Sequence, residues 1–281
     1  MKLGRDITCV NPDDDPRFRQ YWQAYHQIMG RRGVGPEAAK ASVHRSNTII
    51  AALMVRLGDA DGMLCGMHGR FDAHLENIEN VIGLQPGANT LATLSALSMD
   101  KRTLFIADTY VNETPTSEQL ARIALKSAEQ VRAFGLPPKV AFISHSNYGS
   151  SRRESALRVR EAYEIFRKLA PDVECDGEMH GDAAMLEAIR RDNLMESSLH
   201  GEANILVCPN IDAANILFNV LKAVSSGATT MGPMLMGAAA PAHVMTPSST
   251  VRRALAMMAL VAAQAGQKGT VTKLREQRSA G

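Results

Sequence analysis

The chain has 281 residues, 45% of them hydrophobic and 21% charged, which is enough for one large α/β domain or two lobes. Its 31 Lys and Arg against 29 Asp and Glu leave a formal net charge of +2, and this balance argues against the basic stripe of a nucleic-acid-binding surface. No apolar run approaches the roughly 20 residues that cross a bilayer. The N-terminal MKLGRDITCVNPDDDPRF lacks the apolar segment of a secretion signal. A cytoplasmic location is therefore expected, with neither nucleic acid nor membrane as partner.

In chain order, the acidic run Asp13, Asp14, Asp15 with Pro16 behind it opens a predicted helix over 16–29, with Trp22, Tyr25 and Ile28 on its inner face. A second helix is predicted over 36–57 and a first strand over 63–65. Helices over 72–82, 117–134, 152–169, 182–191 and 212–225 then alternate with strands over 91–98, 103–107, 139–144, 173–176 and 204–208. Runs such as KVAFIS and ANILVCP are apolar on both faces, as strands of a parallel sheet covered by helices must be. The expected fold class is α/β: a three-layer αβα arrangement with mostly parallel sheets, in two lobes with a cleft between them. Residues 1–88 plus 235–281 are expected to form one lobe and 89–234 the other.

Toward the C-terminus, 227–245 is rich in Gly, Ala and Met with almost no charge, which suits backbone packed tightly at a lobe interface. Helix 249–265 closes the fold, and the polar tail 267–281 is expected without regular structure. The four cysteines, Cys9, Cys65, Cys175 and Cys208, are isolated in sequence and form no Cys or His pair at zinc-ligand spacing. Buried free thiols are expected, and no metal site.

Three segments can carry chemistry. The loop Ser144-His-Ser-Asn-Tyr-Gly-Ser-Ser151 links a buried strand to a helix. It reads either as a phosphate cradle at the carboxyl end of a strand or as a plain turn with Ser and Asn caps. Asp176, Glu178, His180 and Asp182 cluster around a strand end, where they can share acid–base work or simply cap and brace loops. His68 follows another strand. The run Thr246-Pro-Ser-Ser-Thr250 is a strong helix start, and Ser248 or Ser249 can cap it. Arg252 and Arg253 then fall in the first turn, where the helix macrodipole disfavours cations. That placement points to an acidic partner, a ligand phosphate or another part of the protein.

Six ordered segments, ADGMLCGMHGRFDAH, LFIADTYVNETPTSEQLARIA, PKVAFISHSNYGSS, DGEMHGDAA, ANILVCPNIDAANILFNVLK and MGPMLMGAAAPAHVMTPSST, resemble the phosphate acetyl/butyryltransferase family. NPDDDPRFRQYWQAYHQIMGRRGV and DGEMHGDAAM are most similar to the phosphotransacetylase-like C-terminal domain of hybrid NADP-dependent malic enzymes. The family's N-terminal strand and helix are missing, so residue 1 is expected to lie inside a natural domain of a longer polypeptide. The family's S-R-G segment falls at Thr246, Pro247 and Ser248, and its aspartate falls at Arg253. Two further arginines of its phosphate site fall at Met29 and Leu75.

The resemblance therefore implies a non-catalytic regulatory domain that binds acetyl-CoA as allosteric effector and mediates homo-oligomerisation. The parent enzyme would convert malate to pyruvate with NADP and Mg or Mn. An active phosphate acetyltransferase is the alternative, and a purely structural oligomerisation module is a third reading. Candidate acetyl-CoA residues are Asn147, Gly149, Ser150, Arg152, Arg153, Thr246, Ser248, Ser249 and Arg253. His68, Arg70, Asp176, Glu178, Asp182, Asn210 and Asn215 are expected to support the cleft. No catalytic residue is assigned.

Overall fold

The computed structural model describes residues 7–194, 197–225 and 227–279. The chain divides into two compact units, Met1–Gln85 with Ala238–Ser248 and Met258–Gly281, and Pro86–Gly237 with Ser249–Met257. The first turns of the last helix thus group with the second unit, whereas the sequence reading assigns all of 235–281 to the first.

The first unit opens with helix α1, Phe18–Met29. Its buried side chains are Tyr21, Tyr25 and Met29, four residues apart and therefore on one face. Trp22 and Ile28, expected on that face, are only half-buried, because the helix is rotated by about one residue from the predicted stripe. Asp15 accepts the backbone N–H of Arg17 at 2.8 Å and its guanidinium at 2.9 Å. This fixes the chain just ahead of α1, so the helix begins two residues after Pro16.

The predicted helix 36–57 is two helices, α2 (Pro36–Arg45) and α3 (Asn47–Leu57). Between them Ser46 is extended, and its hydroxyl accepts the N–H of Ile49 at 3.3 Å; a serine that caps a new helix competes with continuing the old one. Strand β1 (Met63–Cys65) and helix α4 (Phe71–Val81) follow.

In the second unit the chain forms β2 (Ala92–Met99), β3 (Arg102–Ala107), α5 (Ser117–Ala133), β4 (Lys139–Ile143), α6 (Glu154–Leu169) and β5 (Glu174–Met179). It continues through α7 (Gly181–Met185), α8 (Glu187–Asn193), β6 (Ile205–Val207), α9 (Ile211–Val224) and β7 (Thr229–Met236). The strands lie in the order β5-β4-β6-β3-β2-β7. β5, β4, β6 and β3 are parallel, and β2 is antiparallel to both β3 and β7. Thr116 and Gln119 form a reciprocal capping box at the start of α5.

Alternation along the central strands shows why both faces are apolar. Phe142 of β4 packs on Phe166 of α6, and Phe105 of β3 stacks on Phe134 just after α5. Ala141 and Leu104 point to the opposite face, where α7 and Leu217 and Leu221 of α9 close a second core. Helices on both faces of a parallel-dominated sheet make this unit a three-layer α/β fold.

The Gly- and Met-rich 227–245 contains two strands that its composition conceals, β7 and β8 (Ala242–Val244). β8 belongs to the first unit, where it pairs in parallel with β1. The last helix, α10, spans Val251–Ser279, so the tail expected without regular structure continues as helix from Gln267; its Lys, Leu, Arg, Glu and Gln are good helix formers and no proline interrupts it. Cys175 and Cys208 are buried free thiols, but Cys9 is exposed. Among the described residues no helix is long and apolar enough to cross a membrane.

His243 on β8 is 1% exposed, and its Nε2 lies 2.9 Å from Oε1 of Gln264 on α10. Burial pulls its pKa down to about 4, against the smaller raising effect of the Gln264 bond. The unfolded chain takes up this proton near pH 6.5 and the folded chain only near pH 4, so stability falls as the pH drops through that window. The loss expected from this group is about 3 kcal/mol. Urea unfolding of wild type and His243→Gln at pH 7 and pH 4.5 checks it: the wild type should lose more stability than the variant, and parallel losses would contradict the assignment.

Candidate functional site

β4 leads into α6 toward β5, while its neighbour β6 leads into α9 toward β7. Adjacent parallel strands whose connections leave in opposite directions open a crevice at their carboxyl ends, the usual ligand position in an open α/β sheet. Here that point is framed by the loop 144–153 and by Cys208, Pro209 and Asn210, all within the second unit. Arg158 of α6 reaches the carbonyl of Pro209 at 3.4 Å.

The loop is built around an anion, and the anion is the protein's own Glu178. This side chain is fully buried. Its Oε1 accepts the Ser146 hydroxyl at 2.7 Å, the Gly149 N–H at 2.9 Å and Nη2 of Arg160 at 2.9 Å, and its Oε2 accepts Nε of Arg160 at 2.8 Å. Burial alone would raise the carboxyl pKa, but Arg160, Ser146 and the Gly149 N–H outweigh it and hold the group down at about 2. The Tyr148 N–H donates to the Glu178 carbonyl at 2.9 Å. Tyr148 and Gly149 both have positive φ, 48° and 93°, which turns two successive N–H groups toward Glu178.

Glycine is required again at Gly177. A Cβ there would meet Phe142 Cβ at 2.7 Å and its carbonyl oxygen at 2.8 Å, so β5 approaches β4 closely enough to bring Glu178 under the loop.

Three more N–H groups of the loop are also engaged. The Asn147 N–H donates to Ser150 Oγ at 3.0 Å, the Ser150 N–H to the Asn147 carbonyl at 3.0 Å, and the Ser151 N–H to Ser146 Oγ at 3.1 Å. Asn147 Oδ1 accepts the His180 N–H at 2.7 Å. The sequence left a phosphate cradle and a capped turn open; the geometry is a capped turn closed over a carboxylate. Arg152 and Arg153, just ahead of α6, are exposed, and no ion pair to either occurs among the described residues.

The other sequence-predicted residues take various positions. Asp176 is buried and accepts the Gly177 N–H at 2.8 Å and the Ser197 hydroxyl at 2.5 Å. Asp182 receives the Ala183 N–H at 2.8 Å in the first turn of α7, and Asn210 caps α9 through Ala213 at 2.9 Å. Asn215 donates to the Thr109 carbonyl at 3.0 Å. Arg253 donates to the hydroxyl of Thr230. Ser249, two residues ahead of α10, belongs with Arg253 to the second unit.

Thr246, Ser248, His68 and Arg70 belong to the first unit. Thr246 and Ser248 face each other at 3.2 Å, Arg70 pairs with Asp72, and the His68 carbonyl lies 2.5 Å from the His74 ring. Among the described residues no cluster of His, Cys, Asp and Glu is placed to hold a metal ion.

Sequence reasoning overlooked a buried polar network at the end of β3. Asp108 accepts the Thr93 N–H at 2.8 Å, the Thr93 hydroxyl at 2.6 Å and the Asn112 N–H at 2.9 Å, while Thr109 meets Ser95 at 2.8 Å. Asp-Thr-x-x-Asn directly after an apolar strand was the available signal. Arg160, the cation that pairs with Glu178, carried none.

The phosphate acetyl/butaryl transferase family model matches residues 1–262. An NADP-dependent malic enzyme of Escherichia coli (strain K12) is 49% identical over 265 residues, 94% of this chain and 35% of that protein. A phosphate acetyltransferase of Nitratidesulfovibrio vulgaris is 31% identical over 275 residues, 96% of this chain and 38% of that protein. The chain thus spans about a third of the length of these curated relatives. Among solved structures, a phosphotransacetylase from Streptococcus pyogenes superposes with a TM-score of 0.87 at 27% identity, over 94% of this chain and 80% of that one.

Breaking a buried ion pair from one side leaves its partner uncompensated and costs several kcal/mol. Glu178→Gln should therefore lower the unfolding free energy by about 3 kcal/mol at pH 7, read by urea denaturation. A loss below about 0.5 kcal/mol, the range of ordinary surface substitutions, would show that the carboxylate does not hold the loop.

Proposed function

Because the chain belongs to the phosphate acetyl/butaryl transferase family, we propose that it is the phosphotransacetylase-like regulatory part of a cytoplasmic NADP-dependent malic enzyme, binding acetyl-CoA as effector without transferring the acetyl group. The observation that carries the malic-enzyme connection is the 49% identity along 94% of the chain, against 31% to a phosphate acetyltransferase. NADP, a divalent metal and malate belong to the parent's other part.

The absence of transfer rests on the residues present. Moving an acetyl group from a thioester to phosphate needs cations to hold the phosphate and a group to manage the thiol's proton. The resemblance implies that Pro247 takes the place of the arginine in the family's S-R-G segment and Arg253 that of its aspartate. The Arg253 guanidinium is turned to the Thr230 hydroxyl.

Binding requires a different set of donors. Acetyl-CoA carries a diphosphate and a 3′-phosphate, and the N–H groups of residues 147–151 are given to Glu178 and to the loop's own oxygens. The phosphates are then met by Arg152, Arg153 and the first N–H groups of α6, where helix dipole and cations act together. For this to regulate a distant reaction, acetyl-CoA must favour one of two arrangements of the parent. Homo-oligomerisation is supported by apolar stripes left exposed on α9, where Ile216, Val220 and Val224 recur every four residues, and on α10 at Val251 and Leu255.

A working phosphate acetyltransferase is the second reading, favoured by the fold match to the Streptococcus pyogenes phosphotransacetylase. Acetyl phosphate formation from acetyl-CoA and phosphate separates the two: background rates are expected, and turnover near the median enzyme value of about 10 per second would establish the second reading. Acetyl-CoA at one hundred times its dissociation constant should stabilise the chain by about 2.7 kcal/mol. That shift appears as a higher melting temperature and should be largely lost in the Arg152→Glu, Arg153→Glu double variant. No shift at millimolar acetyl-CoA with a folded wild type would leave a structural oligomerisation module. In sedimentation, Val220→Asp should shift the chain toward monomer; an unchanged distribution would remove the α9 stripe from the assembly.

A further inference from the structure

A separate cavity of about 420 Å³ lies in the second unit, far along β2 and β3 from the carboxyl-end loops. Its interior is apolar. Phe105 of β3 and Phe134 after α5 form the floor, with rings stacked at 6.0 Å and 11°, and Ala96, Met231 and Ala256 continue it. Its rim carries Arg252 in the first turn of α10, together with hydroxyl groups of β3 and β7.

The charges at this rim are unbalanced. Arg252 and Arg253 sit in the first turn of a helix, where the dipole already contributes positive potential. Neither forms an ion pair with a carboxylate among the described residues. Arg253 is turned to the neutral hydroxyl of Thr230, itself a rim residue, so Arg252 is the guanidinium that the rim offers to a ligand. The volume falls in the range of small-molecule sites, about 300–1,000 Å³, and an apolar interior with a few convergent polar groups is their usual composition.

We propose that this cavity is a binding site for a small amphiphilic anion, a monocarboxylate on an unbranched acyl chain, with its tail on Phe105 and Phe134 and its head at Arg252. The two halves of the site select the two halves of the ligand. An aliphatic alcohol of the same length lacks the charge for Arg252, and a short carboxylate such as acetate lacks the tail for the aromatic floor. The site is independent of the acetyl-CoA reading, which rests on Arg152 and Arg153.

Octanoate is the probe, titrated calorimetrically into the full chain alongside octanol and acetate. Saturable octanoate binding at millimolar concentration or below is expected, with acetate silent. Arg252→Gln should weaken octanoate about tenfold and leave octanol unchanged. Ala256→Phe, which fills the cavity from α10, should abolish binding of both; Thr103→Phe does the same from the strand side if the helix variant fails to fold. The proposal is overturned if octanoate gives no saturable heat, or if the folded variants bind it as the wild type does. It is equally overturned if sedimentation shows that these substitutions change self-association while octanoate affinity stays constant, since that result assigns the groove to a second copy of the chain.

Discussion

The buried carboxylate of Glu178 fixes the candidate site of this protein. A charge taken out of water must be paired and fully hydrogen-bonded or it destabilises the fold, and here Arg160, the Ser146 hydroxyl and the Gly149 N–H meet that demand together. Satisfying it decides the path of the chain from β4 to α6. Tyr148 and Gly149 adopt positive φ to aim their N–H groups, and Gly177 lets β5 come close enough to β4 for the carboxylate to arrive. An internal anion already occupies the concavity of the loop.

This has a chemical consequence. A strand-to-helix loop at the carboxyl edge of a parallel sheet normally offers its N–H groups to a phosphate. In this chain those groups face inward, so any recognition of an anionic ligand at this edge passes to side chains, chiefly Arg152 and Arg153. Guanidinium groups on flexible stems recognise phosphate through charge and paired N–H donors.

Much of this architecture is legible in the amino-acid sequence, and the parts that are not have physical reasons. Apolar runs buried on both faces, such as 139–143 and 205–207, announce central strands because solvent touches neither side. Strands β7 and β8 escape notice because Gly, Ala, Met and Pro carry no period-two pattern; β7 is an edge strand with a register shift opposite Leu94 and Ala96. The break at Ser46 escapes apolar periodicity, since α2 buries only Ala39 and Val43, α3 is buried on several faces, and a single capping hydroxyl marks the division.

The cluster at 176–182 is visible as a cluster, but its division of labour is not. Glu178 is an internal counter-ion and Asp182 meets a helix N-terminus. That difference depends on Arg160, eighteen residues away along the chain and brought close only by the packing of α6 on β5.

The central claim is that the chain holds acetyl-CoA without acting on it. Equilibrium dialysis of acetyl-labelled acetyl-CoA against the protein in phosphate buffer, with chemical identification of what is recovered, measures both halves at once. The account predicts one acetyl-CoA retained per chain and recovered intact after hours. Recovery of the label as acetyl phosphate would contradict the loss of catalysis, and no retention above the protein-free control would contradict the effector role.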